Sequence, residues 1–107
     1  MPPSDLPSRP ALTGKALRAA IRQSIQKFVD LEQYDVFIFG SEAAGVADRR
    51  SDIDVGIAGP QPLLGSVLQR IRDDLETLRT LRSFDVVDFS RVDDAFKTEA
   101  LKHVERI

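Results

Sequence analysis

Val36-Phe37-Ile38-Phe39-Gly40-Ser41, followed after ten residues by Asp52-Ile53-Asp54, is the stretch that decides the fold. Its first four residues are β-branched or aromatic, the composition of a short buried strand. Gly40 lets the chain turn sharply where that strand ends, and Ser41 adds a hydroxyl beside loop amides, a combination that suits the phosphates of a nucleotide tail. Residues 51–57 then alternate with a period of two, so Asp52 and Asp54 project from one face of a second strand. Side chains two apart on a strand lie about 7 Å from each other, close enough for two carboxylates to share divalent ions. An isolated Asp-x-Asp or Gly-Ser carries little information, because such residues usually form turns, caps or solvated surface. The two together, each introduced by an apolar strand, predict strand, phosphate-gripping turn, strand and metal ligands in that order.

A third strand is predicted at Phe84-Asp85-Val86-Val87-Asp88-Phe89, whose apolar residues give no reason for an inward carboxylate. Asp85 and Asp88 are three apart and so face opposite sides. Only one of them can join the face of Asp52 and Asp54, and alternation alone does not say which.

The spacing Gly40-Ser41, ten residues, Asp52-x-Asp54 resembles the signature of the DNA polymerase β-like nucleotidyltransferases. The short chain is similar to their minimal nucleotidyltransferase (MNT) branch, and the likeness covers residues 34–90. The resemblance implies the palm-like fold of polymerase β, with Gly40 and Ser41 contacting the nucleotide's phosphates. It makes Asp52, Asp54 and Asp85 the catalytic and metal-ligating carboxylates, with Mg²⁺, or Mn²⁺ in its place, as cofactor. Asp85 is chosen over Asp88 because the family's third motif opens an apolar strand with an aspartate; Asp88 is then surface, or a polar contact on the far side. The implied reaction is metal-dependent transfer of a nucleoside monophosphate, AMP from ATP, to a hydroxyl. MNT proteins often work beside a separate all-helical protein of the HEPN type, as the antitoxin of a toxin-antitoxin pair or as the catalytic half of a two-chain enzyme. A HEPN-type toxin or substrate-binding protein is therefore the implied partner, and a toxin hydroxyl, that of a tyrosine, the implied acceptor. Glu42 departs from the pattern, since many family members carry a basic residue directly after Gly-Ser, and an acidic one weakens the expected pull on a triphosphate. The alternative is a non-catalytic nucleotide- or toxin-binding module.

With 107 residues the chain is read as one domain, a flexible lead-in at 1–12 rich in proline and a minimal nucleotidyltransferase domain at 13–107. Fifteen basic against 17 acidic side chains give no bulk attraction to nucleic acid or to membranes, so neither is an expected partner. The chain has no cysteine and one histidine, His103, which excludes thiolate sites and a histidine-rich zinc site and leaves hard cations bound by oxygen. No apolar run approaches the roughly 20 residues of a membrane span and no signal pattern is present, so a cytoplasmic location is expected.

Leu17, Ile21, Ile25 and Phe28 mark one stripe of a helix from Gly14 to Leu31, with Thr13 as a candidate cap and Lys15, Arg18 and Arg22 on a solvated face. A second helix is expected from Pro62 to Leu81, its stripe formed by Leu64, Val67, Leu68, Ile71, Leu75 and Leu78, with Arg70, Arg72, Arg79 and Arg82 solvated. Asp93 and Asp94 can cap a last helix in which Phe96, Ala100, Val104 and Ile107 share a face; Ile107 ends in mid-stripe, to pack on the sheet or against another subunit in a homo-oligomer. A short helical turn is expected at Ser41, and Arg49 and Arg50 are candidates for phosphate contact or plain surface charge. The order of elements predicts an α/β (α+β) domain, a small mixed β-sheet with helices packed mainly on one face.

Overall fold

The computed structural model describes residues 11–46 and 52–107; the lead-in at 1–10 and the pair Arg49-Arg50 lie outside the described residues. The chain runs α1 (Gly14–Gln26), β1 (Asp35–Phe39), α2 (Ser41–Ala44), β2 (Ile53–Ala58), α3 (Gly65–Glu76), β3 (Phe84–Asp88), α4 (Asp94–Ala100) and β4 (Val104–Arg106). The strands form one mixed sheet in the order β3-β2-β1-β4. β1 is antiparallel to both β2 and β4, while β2 and β3 are parallel. A parallel pair needs a long crossover, and α3 supplies it.

Alternation along the strands divides the apolar residues between two faces. Val36 and Ile38 of β1, Ile53, Val55 and Ile57 of β2 and Val86 of β3 point to one face, where Leu17, Ile21 and Ile25 of α1 and Ile71 and Leu75 of α3 complete the core. Phe37, Phe39 and Phe89 point to the other and pack with Ala100 of α4. Their rings meet edge to face, Phe37 to Phe89 at 4.9 Å and Phe39 to Phe89 at 5.1 Å between centroids, an arrangement that suits the ring quadrupoles. Thus α1 and α3 share one face and the short α4 lies over the other.

Helix ends differ from the expected ones for local reasons. α1 ends at Gln26, and after it Asp30 forms an Asx turn, accepting from the Glu32 amide at 2.9 Å, on the way into β1. α3 begins at Gly65 instead of Pro62, since the Leu63 amide donates to the carboxylate of Asp88 at 2.8 Å and holds that segment extended. It ends at Glu76, where the Thr77 hydroxyl donates to the Asp74 carbonyl at 2.6 Å and competes with the next turn. Thr13 occupies the N-cap of α1 with no side-chain capping bond, whereas Asp93 caps α4, accepting from the Phe96 amide at 2.8 Å. Leu12 packs against the first core, and its amide donates to the Arg79 carbonyl at 2.6 Å.

The last helix is the clearest correction. Val104 does not continue the stripe of Phe96 and Ala100; α4 ends at Ala100 and Val104–Arg106 forms a strand instead. The open edge of β1 offers backbone partners in the register Phe39↔Val104, Ile38↔Glu105 and Phe37↔Arg106, which a further helical turn would leave unmet. Ile107 packs on the core shared by α1 and α3 and donates its amide to the Val36 carbonyl at 3.3 Å. Among the described residues no helix is long and apolar enough to cross a membrane.

Candidate active site

The turn between β1 and β2 is built around Gly40. Its φ of 73° with ψ of −147° is a conformation that favours glycine, and it serves as N-cap to the single turn of α2. A Cβ built on Gly40 would lie 2.5 Å from Asp54 Oδ2, so the backbone of the turn rests directly against that carboxylate. The two halves of the motif, ten residues apart in sequence, meet at this contact. Ser41 follows at the start of α2, exposed to solvent.

Asp54 is half-buried in β2 and pairs in register with Phe39 of β1 on one side and Asp85 of β3 on the other. Partners in register share a face, so Asp85 stands beside Asp54 on the face that also carries Phe37 and Phe39. Asp52 immediately precedes β2, exposed and two residues from Asp54. Burial pushes the Asp54 carboxyl above its ordinary value, and the negative charges of Asp85 and Asp52 push it further.

Asp88 lies on the opposite face. It is only 4% exposed and accepts from the amides of Leu63 and Ser90 at 2.8 and 2.9 Å, with the Arg91 guanidinium 3.4 Å away. This is the far-side polar contact, whose task is to satisfy buried backbone donors.

A hard divalent cation suits this donor set chemically, since every nearby acid is an oxygen ligand and the like charges around Asp54 call for a counter-charge. Among the described residues, however, no group of three or more His, Cys, Asp or Glu side chains is gathered closely enough to cage an ion. Beside the turn a cavity of about 570 Å³, lined by Phe39, Gly40, Ser41, Ala44, Phe96 and His103 among others, opens between α2 and α4.

Arg18 and Arg82 are the residues that sequence reasoning assigned wrongly. Both were expected on solvated helix faces; instead both are half-buried and hold Glu42, the residue after Ser41. Arg82 donates to Glu42 Oε1 at 2.6 Å and Arg18 to Glu42 Oε2 at 3.2 Å. Arg18 in turn grips Glu105 of β4 through two bonds of 2.6 and 3.0 Å. Burial raises the Glu42 carboxyl, but the bonds from Arg82 and Arg18 outweigh it and leave the group below the ordinary carboxylate value. An acidic residue among arginines spaced far along the chain gives no local signal, so only the fold reveals the cluster.

The sequence profile of a family described as "Polymerase beta, Nucleotidyltransferase" matches residues 21–107. The chain belongs to this nucleotidyltransferase family. No curated protein sequence matches it significantly. Among solved structures, a tri-AMPylated HEPN toxin in complex with an MNT antitoxin from Shewanella oneidensis matches with a TM-score of 0.65 at 13% identity, covering 84% of this chain and 67% of the other. A toxin-antitoxin with AMP-PNP matches with a TM-score of 0.63 at 17% identity, covering 82% and 69%. Another protein from Shewanella oneidensis matches with a TM-score of 0.68 at 11% identity, covering 88% and 71%. At such identities the likeness establishes the nucleotidyltransferase fold, and the mixed sheet with helices agrees with it.

Proposed function

We infer that this nucleotidyltransferase transfers AMP from ATP to a hydroxyl on a separate all-helical protein of the HEPN type, and so serves as its antitoxin. The observation that carries the reading is the meeting of Gly40 with Asp54, which puts the Gly40-Ser41 turn in contact with a carboxylate of the Asp52-x-Asp54 pair. The complexes similar to this chain, one with an AMPylated HEPN toxin and one with AMP-PNP, support the choice of adenylate and of partner.

In this reading Gly40 and Ser41 hold the β- and γ-phosphates through backbone amides and the serine hydroxyl. Asp52, Asp54 and Asp85 would hold Mg²⁺, which when bound supplies polarisation of the phosphate and of the entering hydroxyl. The acceptor oxygen forms a bond to the α-phosphorus, the bond to the bridging oxygen breaks, and pyrophosphate leaves. Asp85, exposed at the rim of the sheet, accepts the hydroxyl proton. The rings of Phe37, Phe39 and Phe89 share the face of Asp54 and give it an apolar flank.

The test is to co-express the chain with an all-helical partner and weigh the partner. AMP added to the partner by the unaltered chain, and absent with Asp52→Ala and Asp54→Ala together, is the expected result. Magnesium-dependent ATP binding without any transfer would establish the non-catalytic module instead.

A further inference from the structure

Glu42 stands next to the residue assigned to the phosphates, and by charge alone it should repel them. Its side chain is turned away from that role. It is 16% exposed and is held at both oxygens, by Arg82 at 2.6 Å and by Arg18 at 3.2 Å. Arg82 lies in the loop that leads into β3, three residues before Asp85, while Arg18 belongs to α1 and is itself fixed by Glu105 of β4. One carboxylate on α2 therefore joins the turn carrying Ser41 to a helix, to the last strand and to the start of the strand that brings Asp85. With only four residues, α2 is too short to be stable as an isolated helix and depends on the contacts that hold it.

We propose that Glu42 is a positioning residue: clamped between Arg82 and Arg18, it sets the distance between the Ser41 turn and the carboxylate of Asp85. The inference rests on the reading that Ser41 binds nucleotide phosphates and Asp85 belongs to the same site. On this account Gly40 fixes the turn against Asp54 from one side, and Glu42 fixes it against the base of β3 from the other. The acidic residue in place of the family's basic one is then a strut with its charge neutralised by two guanidinium groups, and no phosphate meets a bare carboxylate.

Two substitutions separate position from charge. Glu42→Gln keeps the length and removes the charge, and Glu42→Asp keeps the charge but is too short by a methylene to reach both arginines. Calorimetry of MgATP binding, with the partner present, should show about a tenfold loss of affinity for each variant, the scale of a lost charged hydrogen bond. Asp74→Asn is the comparison, since it removes the charge that pairs with Lys27 and weakens the bond from the Ser24 hydroxyl, away from the site, and lowers stability without touching the turn. If Glu42→Gln tightens MgATP or leaves it unchanged, Glu42 is not a strut. If Glu42→Asp binds normally while Glu42→Gln does not, charge and not position is what matters. An equal loss in Asp74→Asn would assign the effect to general destabilisation. Should Glu42→Gln fail to fold, the Glu42→Asp result decides alone. Absence of MgATP binding by the unaltered chain would overturn the proposed function and this inference together, whereas normal binding with insensitive Glu42 variants overturns only this one.

Discussion

Replacing Gly40 by alanine probes the contact on which the site is built. The backbone there, at φ 73° and ψ −147°, belongs to a region nearly reserved for glycine, and forcing an L-residue into it costs about 1–3 kcal/mol. The new Cβ would also lie 2.5 Å from Asp54 Oδ2, so the carboxylate or the turn has to move. Overpacking of that kind costs about another 1–3 kcal/mol. Together these predict a loss of about 2–6 kcal/mol, which for a domain of this size lowers the melting temperature by about 8 °C or more. Gly45 provides the comparison: its φ is 77°, yet a Cβ there meets nothing within 4 Å, so Gly45→Ala carries only a backbone penalty of about 1–2 kcal/mol. Asp54→Ala combined with Gly40→Ala removes the obstructing oxygen, and part of the loss should return as a favourable coupling in a double-mutant cycle. Denaturant unfolding of all four variants measures these quantities. A Gly40→Ala protein no less stable than Gly45→Ala, or a cycle with no coupling to Asp54, would refute the claim that turn and carboxylate are in contact.

Asp85→Asn should abolish transfer and leave the melting temperature within a few degrees, whereas Asp88→Ala should cost about 1–3 kcal/mol by stranding the buried Leu63 amide; the reverse pattern in unfolding and labelling experiments would mean that the strand register is wrong. The Ser24 hydroxyl and the Lys27 ammonium hold the Asp74 carboxyl below its ordinary value. Its contribution is therefore complete above the unfolded-state value near 4 and is lost as pH falls through the lower folded value, so Asp74→Asn should flatten the acid limb of a stability-against-pH curve below about pH 4. Incubated alone with labelled ATP and Mg²⁺, the chain should transfer little label, and much more beside its helical partner, because positioning of the acceptor supplies a large share of the rate; vigorous transfer to a small acceptor by the chain alone would remove the partner requirement.

Most of what positions the site was legible because it is local. The apolar run before Gly40 and the alternation around Asp54 are properties of a few adjacent residues, and they produced β1, α2 and β2 in order. The parity argument for Asp85 and Asp88 was equally local, though only the family likeness chose between them, and the parallel pairing with β2 then places Asp85 beside Asp54. What could not be read depends on partners distant in sequence. β4 has three residues and exists because β1 has an open edge, while the periodicity of Phe96, Ala100 and Val104 argued for helix. Arg18 and Arg82 looked like solvated charge because their common partner, Glu42, lies on a different element from either. Asp88 delayed the start of α3 through a bond to Leu63 that no propensity records.

β3 ends the sheet on the side away from β4, and among the described residues its outer backbone groups face no further strand. Such a rim is an invitation to edge-to-edge aggregation, and the protein blunts it in two ways. Arg72 reaches from α3 to cap the Val86 carbonyl at 3.2 Å, which takes one acceptor out of reach of another chain. Asp85 adds a charge to the same exposed strand, and charge on an edge strand disfavours pairing with another chain. A neutral residue at position 85 therefore removes charge from the edge as well as from the group proposed for chemistry.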